Sequence, residues 1–204
     1  MKNLFVIPCC KRKIRGGEAR NENTPLTYFE DIDQVPNLVN ARNEKINLNH
    51  LDHPDILLKA WDRYDGTIYR KLKEGQQRID KLMAKGCLDI VIVSALYGVI
   101  NYNTPIANYD LAMRRKDIKH WGNSISEAIN NYCINHKIDE VFTFLAPTTY
   151  YPVTNRSLRD HQKSWPVDPN GNAYHGAKNV YNHLAALMTS KLIDMEIRCF
   201  KDSL

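Results

Sequence analysis

The segment Pro8-Cys9-Cys10-Lys11-Arg12-Lys13 sets two thiols beside three cations. Neighbouring positive charge favours a thiolate, which makes Cys9 or Cys10 a candidate nucleophile. The same crowding disfavours one more ammonium, so Lys13 is a candidate amine nucleophile, base or charge stabiliser. The opposing reading is a pair of cysteines packed as small hydrophobes beside solvated lysines. A second loaded segment, residues 91–113, reads VIVSALYGVINYNTPIANYDLAM. Ser94 lacks the flanking glycines of a hydrolase nucleophile turn and is read as a hydrogen-bonding group at a strand end. Tyr97 is either a ring for stacking or a core tyrosine with a tethered hydroxyl, and Gly98 supplies a backbone conformation that other residues resist. The amides of Asn101 and Asn103 both donate and accept, as reading a base edge requires. Tyr109 is a second stacking candidate, and Asp110 is either a helix N-cap or a carboxylate aimed at a ligand. Arg114, Arg115 and Lys116 follow as candidate phosphate contacts.

Both segments follow apolar runs, Leu4 to Ile7 and Ile90 to Val93, and a third run, Val141 to Leu145, ends in Ala146-Pro147-Thr148-Thr149-Tyr150-Tyr151. Buried strands that release polar and aromatic groups at their C-terminal ends build ligand sites in open α/β sheets. Between the strands lie helical patterns. Residues 54–85 carry Leu57, Trp61, Tyr64, Ile68 and Leu72 at helical spacing, with Pro54 in a first turn, Gly66 and Gly75 as interruptions and Gly86 as a stop. Residues 117–136 and 175–191 give two more helices, residues 88–94 and 140–145 give strands, and Ile193 to Phe200 reads as an edge strand. The expected fold is a single α/β domain over residues 1–204, with a central, mainly parallel sheet covered by helices on both faces. Residues 16–53, rich in Gly, Asn, Asp and Pro, read as a long irregular excursion or lid with one short helical turn.

The bulk numbers suit this class. The chain has 204 residues, 43% hydrophobic and 25% charged, with no apolar run approaching the roughly 18 residues of a membrane span. MKNLFVIP reads as a first strand rather than a signal, and a cytoplasmic setting is expected. The five cysteines lack CxxC spacing, which indicates neither a disulfide framework nor a structural zinc site. His50 and His53 lie near Asp52 and Asp55, a weak metal pattern, while His161, His175 and His183 are scattered. No phosphate-binding glycine motif is present beyond Gly16-Gly17, and no metal or cofactor is expected. The net charge of +5 is mild. Its clusters, Lys11 to Arg15 and Arg114 to Lys119, form either a positive rim for phosphate or a solvated face.

The order of segments resembles the bacterial peroxide-stress-response protein family (YaaA-like) and its shorter relatives. The resemblance rests on the Pro8 strand with its cysteine-lysine loop, Asp65-Gly66-Thr67-Ile68-Tyr69, Ser94-Ala95-Leu96-Tyr97-Gly98-Val99-Ile100, Pro105-Ile106 with Tyr109 and Met113, Trp121-Gly122, Leu145-Ala146 and the final helix. The Pro8-Cys9-x-x-x-Lys13 spacing is also similar to a motif in the core domain of archaeosine synthase. That domain attaches lysine to a deazaguanine base in transfer RNA and is similar in fold to uracil-DNA glycosylases. Here Lys13 is followed by Ile14-Arg15 rather than Pro-Tyr, so the same substrate is not implied.

The leading functional expectation is a protein that handles nucleobases or nucleic acid, acting as an enzyme on a base, nucleoside or polynucleotide above the strand ends. Lys13, Cys9 and Asp110 are its candidate catalytic residues. Ser94, Tyr97, Gly98, Asn101, Asn103, Tyr109, Arg114 and Arg115 are its candidate binding residues. The alternatives are a non-catalytic DNA-binding stress protein and a small-molecule N-glycoside hydrolase. Nothing in the residues fixes the oligomeric state.

Overall fold

The computed structural model describes residues 1–19, 35–49, 51–146, 149–150, 152, 154, 162–163 and 177–201. Its centre is β1 (Asn3–Pro8), buried along its whole length, as a strand covered on both faces must be. β1 pairs in parallel with β4 (Leu88–Ser94) on one side and with β7 (Glu140–Thr143) on the other. β5 (Gly98–Asn101) returns antiparallel along β4, and β8 (Gln162–Lys163) pairs in parallel with β7. The sheet order is β5-β4-β1-β7-β8. This is a mainly parallel sheet with one antiparallel edge.

Helices cover both faces. α3 (Thr67–Lys73), α4 (Gln76–Ala84) and α7 (Ala177–Lys201) pack together, with α4 against β4. α1 (Pro36–Asn47), α5 (Arg115–Trp121) and α6 (Ser124–Asn135) form a second group, with α6 against β5. The short α2 (Ala60–Arg63) leads out of a second, antiparallel sheet of β2 (Glu18–Ala19), β3 (Asp52–Lys59) and β6 (Pro105–Asn108), ordered β2-β3-β6. One continuous apolar core runs from Leu4 through Val91, Ile129 and Phe144 to Leu184 and Met188.

Several elements differ from the sequence reading. Residues 54–59 belong to β3, not to a helix: Leu57 and Leu58 pair with Ala107 and Ile106 of β6. The helical spacing of Leu57 with Trp61 spans a strand-to-helix junction, where Ala60 donates its N–H to the Thr104 carbonyl at 2.8 Å. Beyond it the helix breaks at Gly66 and Gly75, the two glycines that interrupt the pattern, and Gly86 takes a φ of +69° after α4. The 117–136 pattern divides at Gly122, φ +52°, into α5 and α6. Ile193 to Phe200 is the end of α7 rather than an edge strand.

The stretch 16–53 holds a twelve-residue helix, α1, where one turn was expected. Its buried positions are Leu38, Arg42 and Lys45. Two of the three inward residues are cations, so the apolar stripe that announces an amphipathic helix is absent. Arg42 donates to the carbonyls of Tyr97 (2.6 Å) and Val99 (2.9 Å), and Lys45 is ion-paired with the buried Asp117 of α5. With Leu38 also fully buried, α1 is part of the packed body rather than a lid. Residues 20–34 and His50, the remainder of that stretch apart from β2 and its neighbours, lie outside the described residues.

A disulfide joins Cys87 to Cys199, against the expectation drawn from cysteine spacing. The two are 112 residues apart in sequence, and the packing of α7 against α3 and α4 brings them together. Cys9, Cys10 and Cys133 are free.

Candidate functional site

The loop leaving β1 is tied down from its first residue. Cys9 donates its N–H to Val93 of β4 at 2.9 Å, and its sulfur accepts the Ala95 N–H at 3.3 Å. The Tyr150 hydroxyl lies 3.3 Å from that sulfur and donates to the Cys9 carbonyl at 3.1 Å. Cys9 is thus fully buried under a phenol. Cys10 donates its thiol to the Arg12 carbonyl at 2.9 Å and accepts the Gly66 N–H at 3.1 Å. A Cβ at position 66 would fall 2.7 Å from that of Cys10, so the contact requires glycine there. Burial, followed by the neighbouring Cys9, pushes the Cys10 thiol up to about 12, overriding Lys13 and the Gly66 hydrogen bond that pull it down. The expectation that adjacent cations activate this thiol is therefore reversed, because desolvation outweighs the local charge.

Lys13 sits where this loop meets the residues after α2. It bridges Tyr64, flanked by hydrogen bonds from Ile14 to the Arg63 carbonyl and from Asp65 to the Arg12 carbonyl. Its Nζ donates to the carbonyls of Cys10 (3.0 Å) and Lys11 (3.3 Å) and lies 3.8 Å from the ring centroid of Tyr109. Desolvation lowers its pKa from the ordinary lysine value, against the pull of Cys9, Cys10 and Asp110. Burial is the main cause, and the crowding by Lys11 is a minor one in the same direction.

Beneath Lys13 lies a chain of buried hydroxyls. Tyr109 Oη is 2.7 Å from Tyr64 Oη and 2.9 Å from Ser94 Oγ at the end of β4. Ser94 Oγ also accepts the N–H groups of Leu96 (3.3 Å) and Tyr97 (3.1 Å), which shapes the turn into β5. Burial holds both phenols, Tyr64 and Tyr109, well above the usual tyrosine range, so they stay neutral. Tyr69 donates to the Pro8 carbonyl at 3.0 Å from the same cluster.

The expected residues divide into two groups. Cys9, Lys13, Ser94, Tyr97, Gly98, Tyr109 and Asp110 gather at the C-terminal ends of β1 and β4. Tyr97 and Tyr109 are both core rings, edge to face at 5.5 Å. Gly98 has a φ of +74°, and a Cβ there would meet Leu38 at 2.7 Å and Trp121 at 3.0 Å. Asp110 caps no helix: it is exposed and faces Lys11 at 3.8 Å. Arg114 and Arg115 are exposed at the start of α5, where the Arg114 N–H is taken by Asp117 at 2.7 Å. Asn101 and Asn103 do not join them. Asn101 pairs opposite Val91 while Gly98 pairs opposite Ser94, so the antiparallel return of β5 carries both asparagines toward the other end of β4. There they line a separate cavity of about 390 Å³ with Tyr102, Tyr132 and His136.

Arg63 and Tyr64 are site residues the sequence reading missed, whereas Tyr150, from the third strand end, meets Cys9. Arg63 is completely buried and donates to four carbonyls, those of Ile14 and Gly16 (both 2.7 Å) and of Ile56 and Ile106 (both 3.2 Å). It stitches the Lys13 loop to β3 and β6. An arginine amid aromatic residues at helical spacing carries no mark of this in sequence. Among the described residues there is no cluster of metal-ligating side chains and no helix long and apolar enough to cross a membrane.

No curated protein matches the chain. The family model described as peroxide stress protein YaaA matches residues 27–185, which takes in Tyr64, Ser94, Tyr109 and α5 and leaves the Cys9–Lys13 loop just outside. With more than three-quarters of its length matched, the chain belongs to the peroxide stress protein YaaA family.

Proposed function

We propose that this protein handles nucleic acid or its nucleobase components, acting on a base, nucleoside or polynucleotide at the C-terminal ends of β1 and β4. The observation that carries this reading is Lys13: a desolvated amine held by two carbonyls and a neutral phenol ring, bordered by exposed cations. A lowered lysine pKa raises the fraction of neutral amine near pH 7, as a nucleophile or proton acceptor needs. Lys11, Arg12, Arg15, Arg114 and Arg115 are exposed and suit phosphate. Tyr109 is buried, so its part is to seat Lys13 rather than to stack on a base. Cys9 fixes the loop from below, and Asp110 balances Lys11 at the rim.

The second reading is a non-catalytic DNA-binding stress protein. It is favoured by the engagement of Lys13 Nζ with its own loop, which a purely structural lysine would also show. Incubation of the protein with nucleosides and with single- and double-stranded oligonucleotides, followed by mass spectrometry of bases and strands, separates the two. The catalytic reading expects a changed base or strand that Lys13→Ala abolishes with oligonucleotide binding retained. Equal product from wild type and Lys13→Ala takes Lys13 out of the chemistry, and no product from any substrate alongside firm binding leaves the non-catalytic reading.

A further inference from the structure

Cys87 lies in the turn between α4 and β4, and Cys199 in the last turns of α7. Packing that involves neither sulfur holds both in place. The Cys87 carbonyl accepts the Asn3 backbone N–H at 3.0 Å and the Asn3 side-chain amide at 3.1 Å, and the Cys87 N–H donates to Leu82 at 2.9 Å. Across the gap, Arg78 pairs with Glu196 at 2.5 Å, Lys85 lies 5.8 Å over the Phe200 ring, and Leu192 and Met195 are buried. The resulting Cα–Cα separation of 6.5 Å is within the span a disulfide bridges. Two thiols at these positions would close without refolding.

They are also reachable. Both cysteines are partly exposed and line a cavity of about 320 Å³ at the N-terminal ends of β1 and β7, the end of the sheet opposite Lys13. Lys191 and Arg198 on its wall favour a thiolate, and Glu140 and Asp194 on the same wall oppose them. The free thiols compare poorly: Cys9 is fully buried, and Cys10 and Cys133 are both hydrogen-retaining thiols pushed up by burial.

We propose that Cys87 and Cys199 are a peroxide-responsive thiol pair that hydrogen peroxide closes and cellular thiols reopen. One thiolate attacks a peroxide oxygen, the O–O bond breaks, and the departing hydroxide takes a proton to leave as water. The sulfenic acid so formed is attacked by the second thiolate, the S–O bond breaks, and a second water leaves. Two thiols and one peroxide give one disulfide and two waters. Closure pins the end of α7 to the turn before β4; opening leaves the Arg78–Glu196 pair and the Lys85–Phe200 contact to hold it. The inference stands apart from the reading of the Lys13 site.

The test uses the full chain, reduced with dithiothreitol, freed of reductant without air and given one equivalent of hydrogen peroxide. Peptide mapping without reduction is expected to show the Cys87–Cys199 crosslink regained, with Cys10 and Cys133 still free to alkylate after denaturation. Amide exchange over residues 195–201 should slow about tenfold on closure. In Cys199→Ser, peroxide should stop at a sulfenic acid on Cys87 that dimedone traps; if that variant does not fold, the wild-type experiment decides. A crosslink that resists dithiothreitol in the native protein overturns the proposal, as does a reduced pair that stays open under peroxide. Oxidation that lodges on Cys10 or Cys133 instead also overturns it.

Discussion

Lys13 Nζ lies 3.8 Å from the ring centroid of Tyr109, whose hydroxyl is hydrogen-bonded to both Tyr64 and Ser94. Residues from the loop after β1, the turn after α2, the end of β4 and the residues after β6 thus meet in one cluster. The cation faces a ring whose phenol burial keeps neutral, so the attraction is to the ring's face and not to a charge. Lys13 is largely desolvated, and Asp110, the carboxylate that acts on it, is exposed. That is the setting in which a lysine gives up its proton most readily.

Tyr109→Phe tests whether the hydroxyl chain supports this arrangement. The ring under Lys13 remains, while Tyr64 Oη and Ser94 Oγ each lose a buried partner. Leaving buried polar groups unpaired costs about 1–3 kcal/mol, and denaturant unfolding should show a loss in that range. A variant as stable as wild type would mean that the chain contributes nothing.

Cys10 should be chemically quiet in the folded protein. Its thiol is pushed from 9.0 to about 12, which lowers the thiolate fraction near pH 8 by roughly a thousandfold. Iodoacetamide should therefore label Cys10 slowly in the native state and quickly in denaturant. The sign for stability follows. The unfolded thiol ionises first as pH rises, the folded state then binds more protons, and stability falls between pH 9 and about 12. Cys10→Ala should flatten that part of the profile.

Gly98→Ala probes the turn that Ser94 shapes. The new Cβ would meet Leu38 and the Trp121 ring at a φ of +74°. Backbone strain and overpacking together should cost roughly 2–4 kcal/mol in thermal or denaturant unfolding.

Lys45→Met would leave the Asp117 carboxylate buried without its ammonium partner, with the Arg114 N–H still donating to it. Breaking a buried pair from one side costs about 3–5 kcal/mol. Hydrogen exchange over residues 36–47 should rise with it, because Lys45 is one of the two cations that hold α1 down.

These variants also mark what the sequence made readable. β1, β4 and β7 were legible because each carries an apolar run, Leu4 to Ile7, Ile90 to Val93 and Val141-Phe142, and their order placed Cys9, Lys13 and Ser94 together. α1 was not, because Arg42 and Lys45 occupy its inward face and bind carbonyls and a carboxylate instead of apolar side chains. β3 was hidden because Leu57 and Trp61 fall at helical spacing across a junction. The misplacement of Asn101 and Asn103 had a topological cause. A strand's polar end is informative only when its direction is known, and β5 runs antiparallel to β4. The Cys87–Cys199 link depends on the docking of α7, which no local spacing encodes.

The most direct test of the account is binding of the purified protein to fluorescent single- and double-stranded oligonucleotides across a salt series, with Lys13→Ala and the Arg114→Ala/Arg115→Ala double variant in parallel. The expected result is binding that weakens steeply with salt, a log–log slope reduced by about 1.5 in the double arginine variant, and retention of most affinity in Lys13→Ala. Absence of binding to every oligonucleotide at low salt, or a slope indifferent to both arginines, would contradict the nucleic-acid reading and turn the search to free bases and nucleosides.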